Sequence, residues 1–374
     1  MPNEKLALVL SGGGARAAYQ AGAVSALAEL HPNLAFPIIT GVSAGAINAG
    51  FLAAHIGSLP DAAAQLRSAW EDLTAARVYH LRPAGLFLST ARRILMALVG
   101  QDPGPAHLPG ILDLEPLRNY LGKSIRFLDI QEKIDTGRLR AFALSATPYT
   151  NAPTRTFVQG IPDIPMWKRA ERISVRASIS VEHVLASAAI PLVFPAIWLD
   201  GEFYGDGSVR QTAPLAPAIH LGASRILVIG TRHPDDDTPH HPTRTQNPTA
   251  AEGMGLLFNS IFLDALDADA ERLTRINRLV ESLPPDFPVP DGLRSVKFYH
   301  LRPSRDLSTL VTGQHYRLPW TMRTIVRAMG GESAGSTVLL SYMLFDPSFT
   351  GRLIELGYQD AMAAREQIQS FLAP

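Results

Sequence analysis

Cysteine is absent from the 374 residues. Disulfides, thiolate zinc sites and a cysteine nucleophile are therefore excluded, and any covalent chemistry must use another side chain. Excess charge of one sign is missing too: Lys+Arg and Asp+Glu each total 34. With no global field to draw the chain to a phosphate backbone, nucleic acid is not an expected partner. Long hydrophobic runs are lacking, since the apolar stretches at 44–56 and 94–99 fall short of the roughly 20 residues that a membrane span needs. The N-terminus has one Lys and one Glu before a short apolar run that ends in glycines, with no signal-peptide cleavage pattern behind it. A cytoplasmic location is the expectation, with any membrane touched peripherally rather than crossed. Internal repeats are absent, and no helix carries His/Asp pairs at metal-ligand spacing. His240-His241, in a Pro-rich stretch, offers poor ligand geometry. The expectation is no metal, no cofactor and independence from calcium.

What is present is a large apolar fraction, 46% hydrophobic against 18% charged, enough for a sizeable core. The run at 6–10 stops at Ser11-Gly12-Gly13-Gly14, as a buried strand entering a tight turn does. A helix follows, with Ala21, Val24 and Ala28 at helical spacing and Pro32 to stop it. Residues 37–40 read as a second buried strand that delivers Gly41-Val42-Ser43-Ala44-Gly45 and then a long apolar helix. Strand, crossover helix, strand, sharp turn and helix imply a mainly parallel sheet covered on both faces, with a site at the carboxyl ends of its strands.

Further along, 61–120 reads as mostly helical, including 85–99 around Arg92 and Arg93, and the Pro/Gly-rich 101–110 ends that block. Strands are expected at 140–147, 155–159 and 225–230, a helix at 181–188, and a hairpin over 194–204 about Asp200-Gly201. The expected division is a catalytic region at 1–235 with its motifs within 6–230, an exposed loop at 236–250, and a mainly helical region at 251–374 packed on the first.

Gly12-x-Gly14-x-x-Ala17 between a strand and a helix also fits a loose dinucleotide fingerprint. That reading needs an acid at the tip of the second strand, and none is there. The tip carries instead a G-x-S-x-G turn, whose small flanking residues let Ser43 sit on a strained elbow with its hydroxyl above the sheet. A hydroxyl nucleophile needs a base and backbone donors for the oxyanion formed on the attacked carbonyl. Gly12, Gly13 and Gly14 can supply those donors, because glycine permits close backbone approach at a helix start where the dipole favours negative charge. The order of the motifs does not fit the usual α/β-hydrolase, which has several strands before its elbow. No histidine stands out as base: His233, His240 and His241 fall in the expected loop, and His220 ends a short helix.

The chain resembles the patatin-like phospholipases, whose hallmarks are a G-G-G-x-R loop, a G-x-S-x-G elbow one crossover later, and a distant D-G-G or D-G-A. Here stand Gly12-Gly13-Gly14-Ala15-Arg16, the Ser43 elbow flanked by Gly41 and Gly45, and Asp206-Gly207-Ser208. The resemblance covers about 6–230 and includes Ala188 to Pro195 ahead of the aspartate. The helical end from Ser341 onward looks like the extensions of bacterial members. The resemblance implies an α/β/α fold with a Ser43–Asp206 dyad that uses no histidine, and a phospholipid, lysophospholipid or other acyl ester as substrate. The departure is Ser208, where Gly or Ala is usual. Arg16 has two readings, a brace at the start of the helix or a partner for a substrate phosphate. The rival functions are a short-chain esterase or thioesterase of the same fold and a non-catalytic nucleotide- or lipid-binding module. Residues 85–99 read as a helix that packs on the core or lies on lipid.

Overall fold

The two apolar runs that end in glycine turns become β1 (Leu6–Leu10) and β2 (Ile38–Val42), adjacent and parallel in the computed structural model. Leu10 lies opposite Gly41, so both strands finish at one edge of the sheet. The structure describes residues 5–373 apart from 82–111, 151, 235–246, 248, 263, 285–286, 290–291 and 312–333. The helix expected at 85–99, the segment 101–110, His240 and His241 lie outside the described residues.

A short antiparallel ribbon of β3 (His80–Leu81) and β4 (Leu112–Asp113) stands apart from the main sheet. The main sheet continues with β5 (Ala141–Pro148), β6 (Thr154–Gly160), β7 (Lys168–Arg169) and β8 (Arg172–Arg176). It then gains the hairpin β9 (Ile197–Leu199) and β10 (Glu202–Asp206), followed by β11 (Arg225–Ile229) and β12 (Lys297–Leu301). Its order is β12-β11-β1-β2-β5-β6-β8-β7, with β10 beside the end of β5 and β9 beside β10. The first five strands of that order run parallel. Beyond them β6 is antiparallel to β5, and β10 joins β5 antiparallel as well. The sheet is thus mixed, with a parallel centre and an antiparallel flank. The hairpin turn falls at Asp200-Gly201, both with positive φ, as two-residue hairpin turns require.

Helices cover both faces. Along β1, Leu8 and Leu10 enter one core while Ala7 and Val9 enter the other, the period-2 alternation of a strand buried on both sides. The first core is closed by α1 (Ala18–Leu30), α2 (Ala44–Ala54), α3 (Leu59–Glu71) and the helix Pro347–Ala363. The second is closed by Ala216–His220 and Asp264–Glu281. Strand β12 is a departure from the mainly helical reading of 251–374: it extends the parallel row at the edge beside β11. No helix among the described residues is long and apolar enough to cross a membrane.

Candidate active site

The sheet register brings the separated motifs together. Val42 pairs with Ser145 of β5, and there β2 ends, because the chain turns at Ser43 into α2. The neighbouring residue of β5, Ala146, has β6 on one side, with Arg155 opposite it. On its vacated side lies β10, with Asp206 opposite Ala146. Asp206 therefore arrives where β2 stopped, beside the residue at which β2 turned.

Ser43 has φ 54° and ψ −131°, a backbone conformation that a serine adopts only when its surroundings impose it. The restraints are visible. Its N–H donates to Ser187 Oγ at 3.0 Å, Ser187 Oγ donates to the Ser145 carbonyl at 2.7 Å, and the Ser43 carbonyl accepts from Ala46 N–H at 2.9 Å. Gly45 completes the elbow, since a Cβ there would run into the carbonyl oxygens of Leu10 and Ser11. Gly41 and Gly207 are likewise pressed against backbone, at Gly45 and Ser145.

Asp206 is fully buried, and burial pushes its carboxyl up to about 7. Hydrogen bonding from the Ser43 hydroxyl and from Ser208 opposes that rise. Oδ1 accepts the Ser208 N–H at 2.8 Å. Oδ2 has no bond of full hydrogen-bond geometry, so Ser43 approaches the carboxyl without a tight, fixed contact.

The glycine loop closes the third side. A Cβ on Gly12 would lie 3.2 Å from Ser43 Cβ and 2.8 Å from Ser208 Oγ, which places this backbone against both motifs. The loop's carbonyls are occupied: Gln20 Nε2 donates to Ser11 O at 2.9 Å, Thr231 Oγ1 to Gly12 O at 3.0 Å, and Arg16 N–H to Gly13 O at 3.1 Å. Gly13 and Gly14 have φ of 153° and 54°, a path that suits glycine. Arg16 donates from Nε to Ser341 Oγ at 2.7 Å, with its guanidinium 4.1 Å from the centre of the Tyr342 ring.

From Ser43 runs a cleft whose lining is almost wholly apolar, including Ile47, Phe51, Trp70 and Leu121 from one part of the chain and Tyr342, Met343 and Phe345 from another. It is narrow, with about 40 Å³ of free space. No histidine is among its described lining residues, and no group of three or more His, Cys, Asp or Glu among the described residues could hold a metal ion. His220 lies on the opposite side of the sheet, against the second core. The sequence motifs did not point to Ser187, Tyr342 or Phe262, whose ring lies against Gly12. Ser187 falls within 6–230, the stretch that the family resemblance covers, in the helix that precedes Ala188 to Pro195. The other two carry no local signal, because only packing between distant parts of the chain brings them here.

No curated protein matches the chain by sequence. Among solved structures it is similar to VipD from Legionella pneumophila, at 13% identity over 98% of this chain and 67% of that one, with a TM-score of 0.36. It is also similar to human GIVD cytosolic phospholipase A2 in complex with methyl gamma-linolenyl fluorophosphonate, at 12% identity over 99% of this chain and a TM-score of 0.48. The chain spans 58% of the length of that human enzyme. The family described as patatin-like phospholipase matches residues 8–219, more than half of the chain and all three motifs. The chain therefore belongs to the patatin-like phospholipase family, a membership that supports lipid hydrolase activity in general.

Proposed function

We propose that the protein hydrolyses the carboxylic esters of phospholipids or lysophospholipids through an acyl-serine intermediate on Ser43, with Asp206 as its only acid–base partner. The observation that carries this reading is the meeting of a strained serine elbow, which lines an apolar cleft, with a buried carboxyl raised to about 7. A carboxylate in water is too weak a base to draw a proton from an attacking hydroxyl. One raised to near neutrality is better matched to the task and is about half ionised at pH 7.

In the reaction the ionised Asp206 takes the hydroxyl proton as Ser43 Oγ attacks the ester carbonyl carbon. The carbonyl oxygen becomes an oxyanion facing the N–H groups of Gly12, Gly13 and Gly14. Collapse breaks the bond to the alcohol, and Asp206 returns the proton to the departing oxygen. Water then attacks the acyl-serine, giving its proton to Asp206, and the released fatty acid leaves Ser43 to regain that proton. The acyl chain lies in the cleft lined by Phe51, Trp70 and Tyr342, which would have to spread because its free space is narrow. That narrowness favours a second reading, a short-chain esterase or thioesterase using the same groups. Arg16 acts as a brace between the glycine loop and the C-terminal region, consistent with its contacts to Ser341 and Tyr342. Residues 1–235 carry the catalytic groups, and 251–374 supply one wall of the cleft.

The test is fatty-acid release from mixed phospholipid vesicles and from short nitrophenyl esters, with chelator throughout, comparing wild type with Ser43→Ala and Asp206→Asn. Loss in both folded variants supports the dyad. A wild type active only on the short esters gives the site to the second reading, and near-normal Asp206→Asn activity rejects aspartate as the base.

A further inference from the structure

A second cleft, of about 680 Å³, lies on the other side of the sheet, against the core opposite the Ser43 cleft. Arg169 and Arg172 of the β7–β8 hairpin line it, with Arg272 from the helix Asp264–Glu281, Arg294 from the segment before β12, and His220. One carboxylate, Asp269, is among its described lining residues. That carboxylate is already engaged, its Oδ2 by the Leu215 N–H at 2.9 Å and its Oδ1 by Arg272 at 3.1 Å. Among the described residues the other three guanidinium groups donate only to carbonyls, and Asp269, shared with Arg272, is the carboxylate that also attracts Arg172. Arg294 donates to Ala223 O at 2.7 Å and Ile219 O at 3.1 Å, Arg172 to Ala213 O at 3.4 Å, and Arg169 to Lys168 O at 3.3 Å.

Four guanidinium groups against one carboxylate thus leave an excess of three positive charges among the described residues of one concavity, in a chain whose formal net charge is zero. Repulsion among them is an expense that folding alone does not explain, since carbonyl partners remove no charge. Its effect reaches His220, whose ring is pushed down to about 4 by burial and by Arg169, Arg172 and Arg294, so that it stays neutral at pH 7. The planar fork of arginine suits an oxyanion with several acceptor oxygens, and three such charges suit a dianion better than a monoanion. The rest of the wall, with Leu273 and Leu293, is apolar enough to accept an uncharged body attached to the anion.

We infer that this cleft is a binding site for a phosphate monoester, held by Arg169, Arg172 and Arg294 and separate from the Ser43 cleft. The monoester could reach it on a small soluble metabolite or as the headgroup of a phosphatidate-type lipid, and the two sources are separable. The assignment does not rest on Ser43 chemistry.

The experiment is titration calorimetry on the full-length Ser43→Ala protein, which keeps an ester ligand intact. The ligands are glycerol 3-phosphate, dihexanoyl phosphatidate below its micelle concentration, and dihexanoyl phosphatidylcholine as a zwitterionic control. We expect saturable 1:1 binding of at least one phosphate monoester, and a fall in affinity of about tenfold or more on adding Arg169→Glu or Arg172→Gln. Arg169 is exposed, so its replacement leaves the fold intact even if Arg172→Gln disturbs it. Binding of both monoesters assigns the site to soluble ligands, and binding of the phosphatidate alone assigns it to the lipid. The inference is overturned if neither monoester binds, if the phosphatidylcholine binds as well as the phosphatidate, or if Arg169→Glu leaves affinity unchanged.

Discussion

At the scale of single residues, the role proposed for Asp206 sets chemistry against stability. Its carboxyl is raised from an ordinary 3.8 to about 7 mainly by burial. Below pH 4 both folded and unfolded chains hold the proton and the group is neutral to stability. Between pH 4 and 7 the folded chain alone keeps it, so stability falls as pH rises, and above 7 the loss is complete at up to about 4 kcal/mol. Asp206→Asn cannot ionise. It should abolish ester hydrolysis while raising the melting temperature at pH 8, with the gain shrinking as pH approaches 4; thermal scans at pH 5 and 8 check this. The same ionisation should govern rate, with kcat/KM rising as pH increases through about 7. Ser208, the departure from the usual Gly or Ala, bonds that carboxyl through its N–H, and its buried hydroxyl, which has no bond of full geometry, is close enough to help hold the value down. Ser208→Ala keeps the N–H and loses the hydroxyl, so the acid limb of the pH–rate profile should move upward. A profile that stays in place would show that the hydroxyl does not act on the carboxyl.

At the scale of elements, two glycines set how closely the helices of the first core approach. A Cβ on Gly22 of α1 would strike the Ile354 carbonyl, and one on Gly357 would strike the Tyr19 carbonyl, so the two helices touch backbone to backbone. Gly357→Ala should force them apart and cost about 1–3 kcal/mol, read as a lower denaturant midpoint. Because α1 begins just after the glycine loop, ester hydrolysis should fall with it. Elements with their own punctuation were legible from sequence: β1 and β2 are apolar runs stopped by glycine, 181–188 is bounded by a Ser N-cap and the Ala-Ile-Pro segment, and Asp200-Gly201 marks the hairpin. The membership of the candidate site was legible too, since Ser43, Asp206 and Gly12 to Gly14 lie together, with the roles proposed for them above. Strand β12 escaped because Lys-Phe-Tyr-His-Leu is a half-buried edge strand, and neither strict alternation nor a continuous apolar run marks it. The antiparallel flank escaped for another reason. That β10 fills the side of β5 that β2 vacates depends on where β2 turns, which is a property of the sheet and of no single segment.

At the scale of the whole molecule, the apolar cleft belongs to neither end of the chain. Ile47 and Phe51 come from α2, directly behind Ser43, whereas Tyr342, Met343 and Phe345 come from about 300 residues later and are held there in part by Arg16. If an acyl chain threads between these walls, its permitted length depends on side chains from both. Enlarging either wall, by Ile47→Phe or Met343→Phe, should shorten the accepted chain in the same way. Each methylene excluded from such a pocket is worth about 1–3 kcal/mol, so hydrolysis of a twelve-carbon nitrophenyl ester should drop about tenfold or more. A butyryl ester, which reaches little beyond Ser43, should keep its rate within about twofold, and Met343→Ala should favour the longer substrate. The ratio of the two rates is the readout, because a general loss of folding would lower both together. If either enlarged variant lost both activities in proportion, or changed neither, the cleft would not be where the acyl chain lies. The Ser43–Asp206 chemistry would then have to be served by a substrate that approaches from the opposite side of the elbow.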